Sequence, residues 1–421
     1  MDTKSPVLKF KKITLDYSLS KFIFENYGWL ISINAVCGLL WGNNLLMTIL
    51  FPLSVYVLAI RTKKRADYNV VDILFISNLI WIILTWLFNS FPHKLEIILY
   101  TFLSQIAFMM AFFIGRDSKL ISLNNIINKS FIPISICCLL GIWWFFSPPD
   151  FILYNALDTE SSNFIEKMRL RSVFPSPYHL AFFCSLSLSI SLFLFFQKKL
   201  MLSSVKYKCL FLLYSITLLL CMMRGPILCA IFSVTVLIFQ VSFNKKNGRK
   251  IIVKYIVFSI LVISVFLLLI SNFNDALYNA FIGKYEAASN TGDFLGERIG
   301  MYDNSFNFWG DGVGRYSLFV YNLGMPSIAD SEYVKILCEQ GVFGFILFIL
   351  LVFCVFFKTI KYFRYLSLDF CIIVFYLVTM IGANSLSTVD KHSFIFWFTI
   401  GRISSFKSPI NKMKNSIESF Y

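Results

Sequence analysis

Charge is scarce in this sequence. Of its 421 residues, 14% are Asp, Glu, Lys or Arg, where an average soluble domain carries about 25%. Histidine occurs three times. There is no Walker phosphate loop, no dinucleotide-binding glycine pattern, no HExxH helix and no membrane-embedded Ser-His pair, so nothing points to nucleotide or zinc-protease chemistry. An enzyme built on this chain is therefore expected to need no cofactor and no metal of its own. Short alternating segments are missing too, which argues against a β-barrel. The ten cysteines lie in or beside apolar runs without metal-ligand spacing, and they read as small buried hydrophobes. No small-residue cleavage site follows the first apolar run, so no signal peptide is expected.

What is abundant is apolar surface. Hydrophobic residues make up 57% of the chain, and Phe alone occurs 48 times. They fall in runs of roughly 17–22 residues, the length that crosses about 30 Å of hydrocarbon as a helix. Spans are expected near 22–41, 44–60, 71–88, 95–115, 131–147, 178–197, 209–223, 225–243, 251–272, 333–357, 369–386 and 392–405. The expected fold is thus all-α: one polytopic transmembrane helical bundle over 1–421, with about twelve helices. With the N-terminus inside, 28 of the 38 Lys and Arg residues fall on that side, and 15 of the 23 acids fall on the other. This is the positive-inside bias, and it places both termini in the cytoplasm. The net charge of +15 is then a topology signal, helped by anionic membrane lipid, and no nucleic-acid partner is implied.

Two connections stand out on the outer side, at 148–177 and 272–332, and long loops in compact proteins are usually functional. The ten outer basic residues are exceptions to the charge rule and gather near these loops. Arg224 stands just before a tight Gly225-Pro226 turn expected to join two short spans, and so is expected at the outer interface. It is either a snorkelling anchor or a fixed guanidinium whose fork of donors matches phosphate oxygens. Arg169 and Arg171 close the first long loop, just before Phe174, Pro177 and His179, where His179 reads as structural. The second loop carries Arg298 and Arg315 around a Gly310-x-Gly312-x-Gly314 run that is a weak phosphate-loop candidate. It ends in Asp330-Ser331-Glu332-Tyr333. Asp330 or Ser331 can cap the following helix. Glu332 lies deeper and can serve as a general base. Glu339 is spaced to pair with Lys335 at i, i+4.

Taken together, the chain resembles the bacterial O-antigen polymerases, within the superfamily of lipid-linked glycan polymerases and ligases. The resemblance rests on the topology, the Arg-rich approach to Phe174 and Pro177, Arg224-Gly225, Gly312-x-Gly314, and Ser331-Glu332-Tyr333-Val334 with Glu339, Gly341 and Gly344. It implies metal-independent glycosyl transfer on the outer face of the inner membrane. An acceptor hydroxyl on one lipid-linked repeat unit attacks the anomeric carbon of the growing glycan, and undecaprenyl pyrophosphate leaves. By the same resemblance, Glu332 and then Asp330 are the candidates for the base. Arg224, Arg169, Arg171, Arg298, Arg315 and Tyr333 are the candidates for holding the pyrophosphate and substrate. The implied partners are the undecaprenyl-pyrophosphate-linked oligosaccharide and a chain-length regulator protein. The ligase branch typically has His-Asn where this chain has Asp330-Ser331, which favours the polymerase branch. A ligase acting on lipid A-core, a flippase or other transporter, and a purely structural membrane subunit are the competing expectations.

Overall fold

Without water to bond to, each apolar run closes its own backbone hydrogen bonds as a helix. The computed structural model describes residues 17–41, 46–62, 68–89, 92–117, 121–147, 170–174, 176–197, 201–221, 223–243, 308–321, 323–324, 328, 331–382, 385–386 and 392–407. The fold is all-helical, with twelve helices and no strand among the described residues. These are α1 (Tyr17–Glu25 and Tyr27–Trp41, bent by 78° between them), α2 (Leu46–Ile60), α3 (Val70–Phe88), α4 (Lys94–Arg116) and α5 (Leu123–Phe146). Then follow α6 (Pro177–Gln197), α7 (Met201–Cys221), α8 (Arg224–Phe243) and a single short turn, α9 (Leu318–Tyr321). Last come α10 (Glu332–Lys361), α11 (Phe363–Gly382) and α12 (Ser393–Ser405). Every expected span is matched by a helix except 251–272, which lies outside the described residues. Six of the helices are long and apolar enough to cross a membrane, or seven if the bent α1 is one span. The chain is a multi-pass membrane protein.

The helices form two compact units, Met1–Asn34 with Asn44–Ser130 and Ser305–Tyr421, and Ala35–Asn43 with Phe131–Asn304. In the first unit α10 packs on α3, and α12 packs on α4. The second contact is close because glycine lines it from both sides. A Cβ on Gly115 would strike the Phe398 carbonyl, and one on Gly401 would strike the Phe112 carbonyl. Small residues let membrane helices approach in this way, where dispersion rather than the hydrophobic effect holds them together. Phe75 and Phe112 stack beside this seam with ring centroids 3.8 Å apart.

One end of the first unit is tied by charge. Asn69 and Asp72 form a capping box at the start of α3. Arg116 of α4 pairs with the fully buried Asp72 at 3.0 Å, and Ser404 of α12 donates to the same carboxylate. Lys358 Nζ donates to the Ser404 carbonyl at 2.8 Å, and Arg402 meets Asp369 at 3.0 Å. Several basic residues read from the sequence as topology signals therefore also join α3, α4, α10, α11 and α12.

In the second unit α6 is buried along most of its length against α7 and α8. Tyr214 of α7 donates to the Phe131 carbonyl and contacts Ser135 Oγ at 3.0 Å, joining α7 to α5.

Candidate functional site

The first turn of α10 is held from several sides. Ser331 is the residue before the helix, in extended conformation, but its side chain makes no capping bond. It donates to the Met380 carbonyl at 3.4 Å instead. Tyr333 Oη donates to the Leu377 carbonyl at 3.0 Å, so this turn is pinned to α11. Glu332 is 4% exposed. One of its carboxylate oxygens accepts the Leu386 backbone N–H at 2.9 Å. Asp330, the other candidate base, lies outside the described residues.

Two turns later the helix breaks. Gly341 takes φ 69° and ψ −178°, a conformation open only to glycine. A helix end leaves carbonyls without partners, and the glycine-rich loop supplies them. Asp311 N–H donates to the Cys338 carbonyl at 2.9 Å, and Gly312 N–H to the Glu339 carbonyl at 3.0 Å. Trp81 Nε1 of α3 takes the Gln340 carbonyl at 2.8 Å, and Asn89 Nδ2 binds the Gly310 carbonyl at 3.0 Å. Gly310, Gly312 and Gly314 all have positive φ, and a Cβ on Gly314 would run into Thr101 of α4. The Gly-x-Gly-x-Gly run is thus a helix-end cap, with the N–H groups of Asp311 and Gly312 committed to protein carbonyls rather than free to cradle phosphate.

The Glu339 side chain locks this loop. It is 2% exposed, accepts the Tyr316 N–H at 2.9 Å and a bond from the Gly314 N–H, and faces Lys335 Nζ at 3.9 Å. The expected i, i+4 pair therefore forms, fully inside the protein. Tyr316 Oη donates to Asp311 at 2.6 Å, and burial together with that carboxylate pushes the phenol pKa well above its ordinary value. Arg315 lies half-buried, its guanidinium 5.5 Å from the Tyr316 ring centre.

Beside Glu332 is a small cavity of about 30 Å³. Its polar lining comes from Asn78 of α3, Gln105 of α4, and Glu332 and Gln340 of α10. Sequence reading missed Asn78, Gln105 and Gln340. The available signal was an amide in the middle of an otherwise apolar span, Phe-Ile-Ser-Asn-Leu-Ile-Trp.

The second unit holds Arg171 and Arg224. Leu170 N–H donates to the Leu220 carbonyl at 3.1 Å, and Ser172 Oγ to the Cys137 carbonyl at 2.6 Å. The segment carrying Arg171 is therefore laid against the end of α7, four residues before Arg224. Burial lowers the Arg171 pKa from its usual value. α7 ends at Cys221 and α8 begins at Arg224, so Gly225 and Pro226 lie inside α8 and not in the connection before it. Proline is tolerated in a helix's first turn, where its missing N–H costs nothing, so Pro226 is taken into α8. A Cβ on Gly225 would meet nothing within 4 Å among the described residues. His179 Nδ1 lies 3.0 Å from Ser176 Oγ, a local contact at the start of α6 that fits its structural reading. Arg169 and Arg298 lie outside the described residues.

Residues 209–349 match the family model described as O-antigen ligase. The match runs from α7 to α10 and takes in Arg224, Arg298, Arg315, Asp330, Glu332 and Tyr333, but neither Arg169 nor Arg171. It agrees with the resemblance to the O-antigen polymerase and ligase superfamily and makes the chain similar to enzymes of glycan transfer. No curated protein matches the chain.

Proposed function

We propose that this chain is an O-antigen polymerase of the inner membrane, with both termini cytoplasmic and the long loops outside. It transfers the growing glycan from undecaprenyl pyrophosphate to a new lipid-linked repeat unit. The observation that carries the reading is Glu332, a buried carboxylate at the head of a broken helix, inside the stretch matched by the family model and facing a polar cavity.

The chemistry needs a base for the acceptor hydroxyl and cationic stabilisation for the departing pyrophosphate. Glu332 takes the proton as the hydroxyl oxygen attacks the anomeric carbon. The bond from that carbon to the pyrophosphate oxygen then breaks. Asp330 is the second candidate for the base. Arg224 binds the pyrophosphate through its fork of donors, with Arg171, Arg169, Arg298 and Arg315 as further cations. At the start of α8, Arg224 also stands at the positive end of a 20-residue helix, which adds to the attraction for anions. Tyr333 positions the first turn of α10.

A ligase that moves the finished glycan to lipid A-core is the second reading, favoured by the description of the matching family model. Deleting the gene in a host with a laddered surface polysaccharide separates the two. Single-repeat caps without longer chains support the polymerase. Loss of all capping supports the ligase, and lipid-linked units accumulating on the cytoplasmic face support a flippase.

A further inference from the structure

The cavity beside Glu332 is costly for the protein to maintain. Asn78 sits near the middle of α3, is 0% exposed, and has both amide atoms buried without a hydrogen-bond partner among the described residues. Gln105 Nε2 and Gln340 Oε1 are likewise buried and unpartnered. All three line the same cavity as Glu332. Buried polar groups are almost always paired, and one left unpaired carries its full desolvation penalty. Three such groups from three stretches of chain, converging on one space, are a set of donors and acceptors held ready.

The backbone around them is also unusual. Gln105 lies in a π-helical stretch of α4, Phe102–Ile106. Such stretches are rare overall but frequent at functional sites, although a second one, Leu46–Leu50, does not line this cavity. Gln340 is the last residue before the break at Gly341, with its carbonyl fixed by Trp81. The break and the π stretch thus each place an amide on the cavity wall.

The lining defines the ligand chemistry. Neutral amides donate and accept but bring no net charge, so they suit hydroxyl groups and not phosphate. Trp397 and Phe348 supply apolar wall. A volume of about 30 Å³ admits a hydroxyl or hydroxymethyl group, or a pair of waters, but not a sugar ring.

We infer that Asn78, Gln105 and Gln340 form a subsite that takes a hydroxyl-bearing arm of the acceptor sugar beside Glu332, and so select which acceptor is extended. The inference rests on the polymerase reading and adds specificity residues to it.

The test uses the full chain in lipid nanodiscs and the free repeat-unit oligosaccharide, released from its lipid by mild acid. Without pyrophosphate this probe cannot act as donor, so binding is read without turnover. Asn78→Leu keeps the volume and removes the amide. It is expected to weaken oligosaccharide binding about tenfold or more, the effect of losing one or two hydrogen bonds, while Tm holds or rises. Unchanged affinity with Tm held or raised overturns the inference and leaves the cavity to water. Should Asn78→Leu fail to assemble, Gln105→Leu, on another helix, gives the same two readings. A wild-type chain that binds no oligosaccharide overturns the inference alone if the deletion strain shows single-repeat caps. A deletion strain with a full ladder removes the polymerase reading and the inference with it.

Discussion

The Glu332 carboxylate accepts the backbone N–H of Leu386 at 2.9 Å. Two parts of the chain more than fifty residues apart meet there. The bond fixes one oxygen of the carboxylate while the side chain also lines the cavity. A carboxylate held in this way needs no rearrangement of its own to accept a proton.

The Lys335–Glu339 pair is structural, and its loss is expected to show in stability first. Both side chains are nearly fully buried, and removing one partner of such a pair strands the other charge, at about 3–5 kcal/mol. Glu339→Gln should therefore lower Tm sharply and loosen the Gly314–Tyr316 loop. Lys335→Met with Glu339→Gln should recover much of the loss. Thermal unfolding of the three variants in detergent checks this, and an unchanged Tm in Glu339→Gln would contradict it.

Gly341 sets where α10 breaks. A side chain there would be strained at φ 69° and would collide with the Phe308 carbonyl and Gly310. Gly341→Ala is expected to cost about 1–3 kcal/mol and to misplace Gln340 and the glycine loop. Chain extension should fall further than the protein level does, as read by comparing polysaccharide gels with immunoblots.

The α4–α12 seam makes a prediction away from the site. Gly401→Ala forces a methyl against the Phe112 carbonyl, and overpacking of this kind costs about 1–3 kcal/mol. The variant should yield less folded protein by fluorescence-detected size exclusion, with activity per folded molecule kept.

Arg224 distinguishes a charge requirement from a geometric one. Arg224→Ala should abolish chain extension at normal protein levels. Arg224→Lys should recover only a small part, because an ammonium keeps the charge but loses the two-pronged match to phosphate oxygens. Full activity in Arg224→Ala would reduce it to an interfacial anchor.

Much of this architecture is legible in the sequence, because a membrane span needs only length and apolarity, and both are local properties. Every described helix long enough to cross was readable as a run, and the Lys335–Glu339 pair followed from spacing alone. The site was only half legible. Glu332 stood out as an acid at a loop–helix junction. Its partner, however, is a backbone N–H, which no side-chain pattern announces. Asn78, Gln105 and Gln340 meet only through packing of α3, α4 and α10. The Gly310-x-Gly312-x-Gly314 run was only a weak phosphate-loop candidate, and the structure gives it another use. Glycines that cradle phosphate and glycines that cap a helix end use the same positive φ. Only the partners of the neighbouring N–H groups separate the two.

The most direct test of the account is the polysaccharide ladder of a deletion strain carrying Glu332→Gln. The substitution preserves shape and a hydrogen-bond acceptor for Leu386, and removes the negative charge and with it the ability to take a proton at neutral pH. The expected result is protein at the wild-type level with surface polysaccharide confined to single-repeat caps. A full ladder from Glu332→Gln would show that Glu332 is not the base and would contradict the central claim.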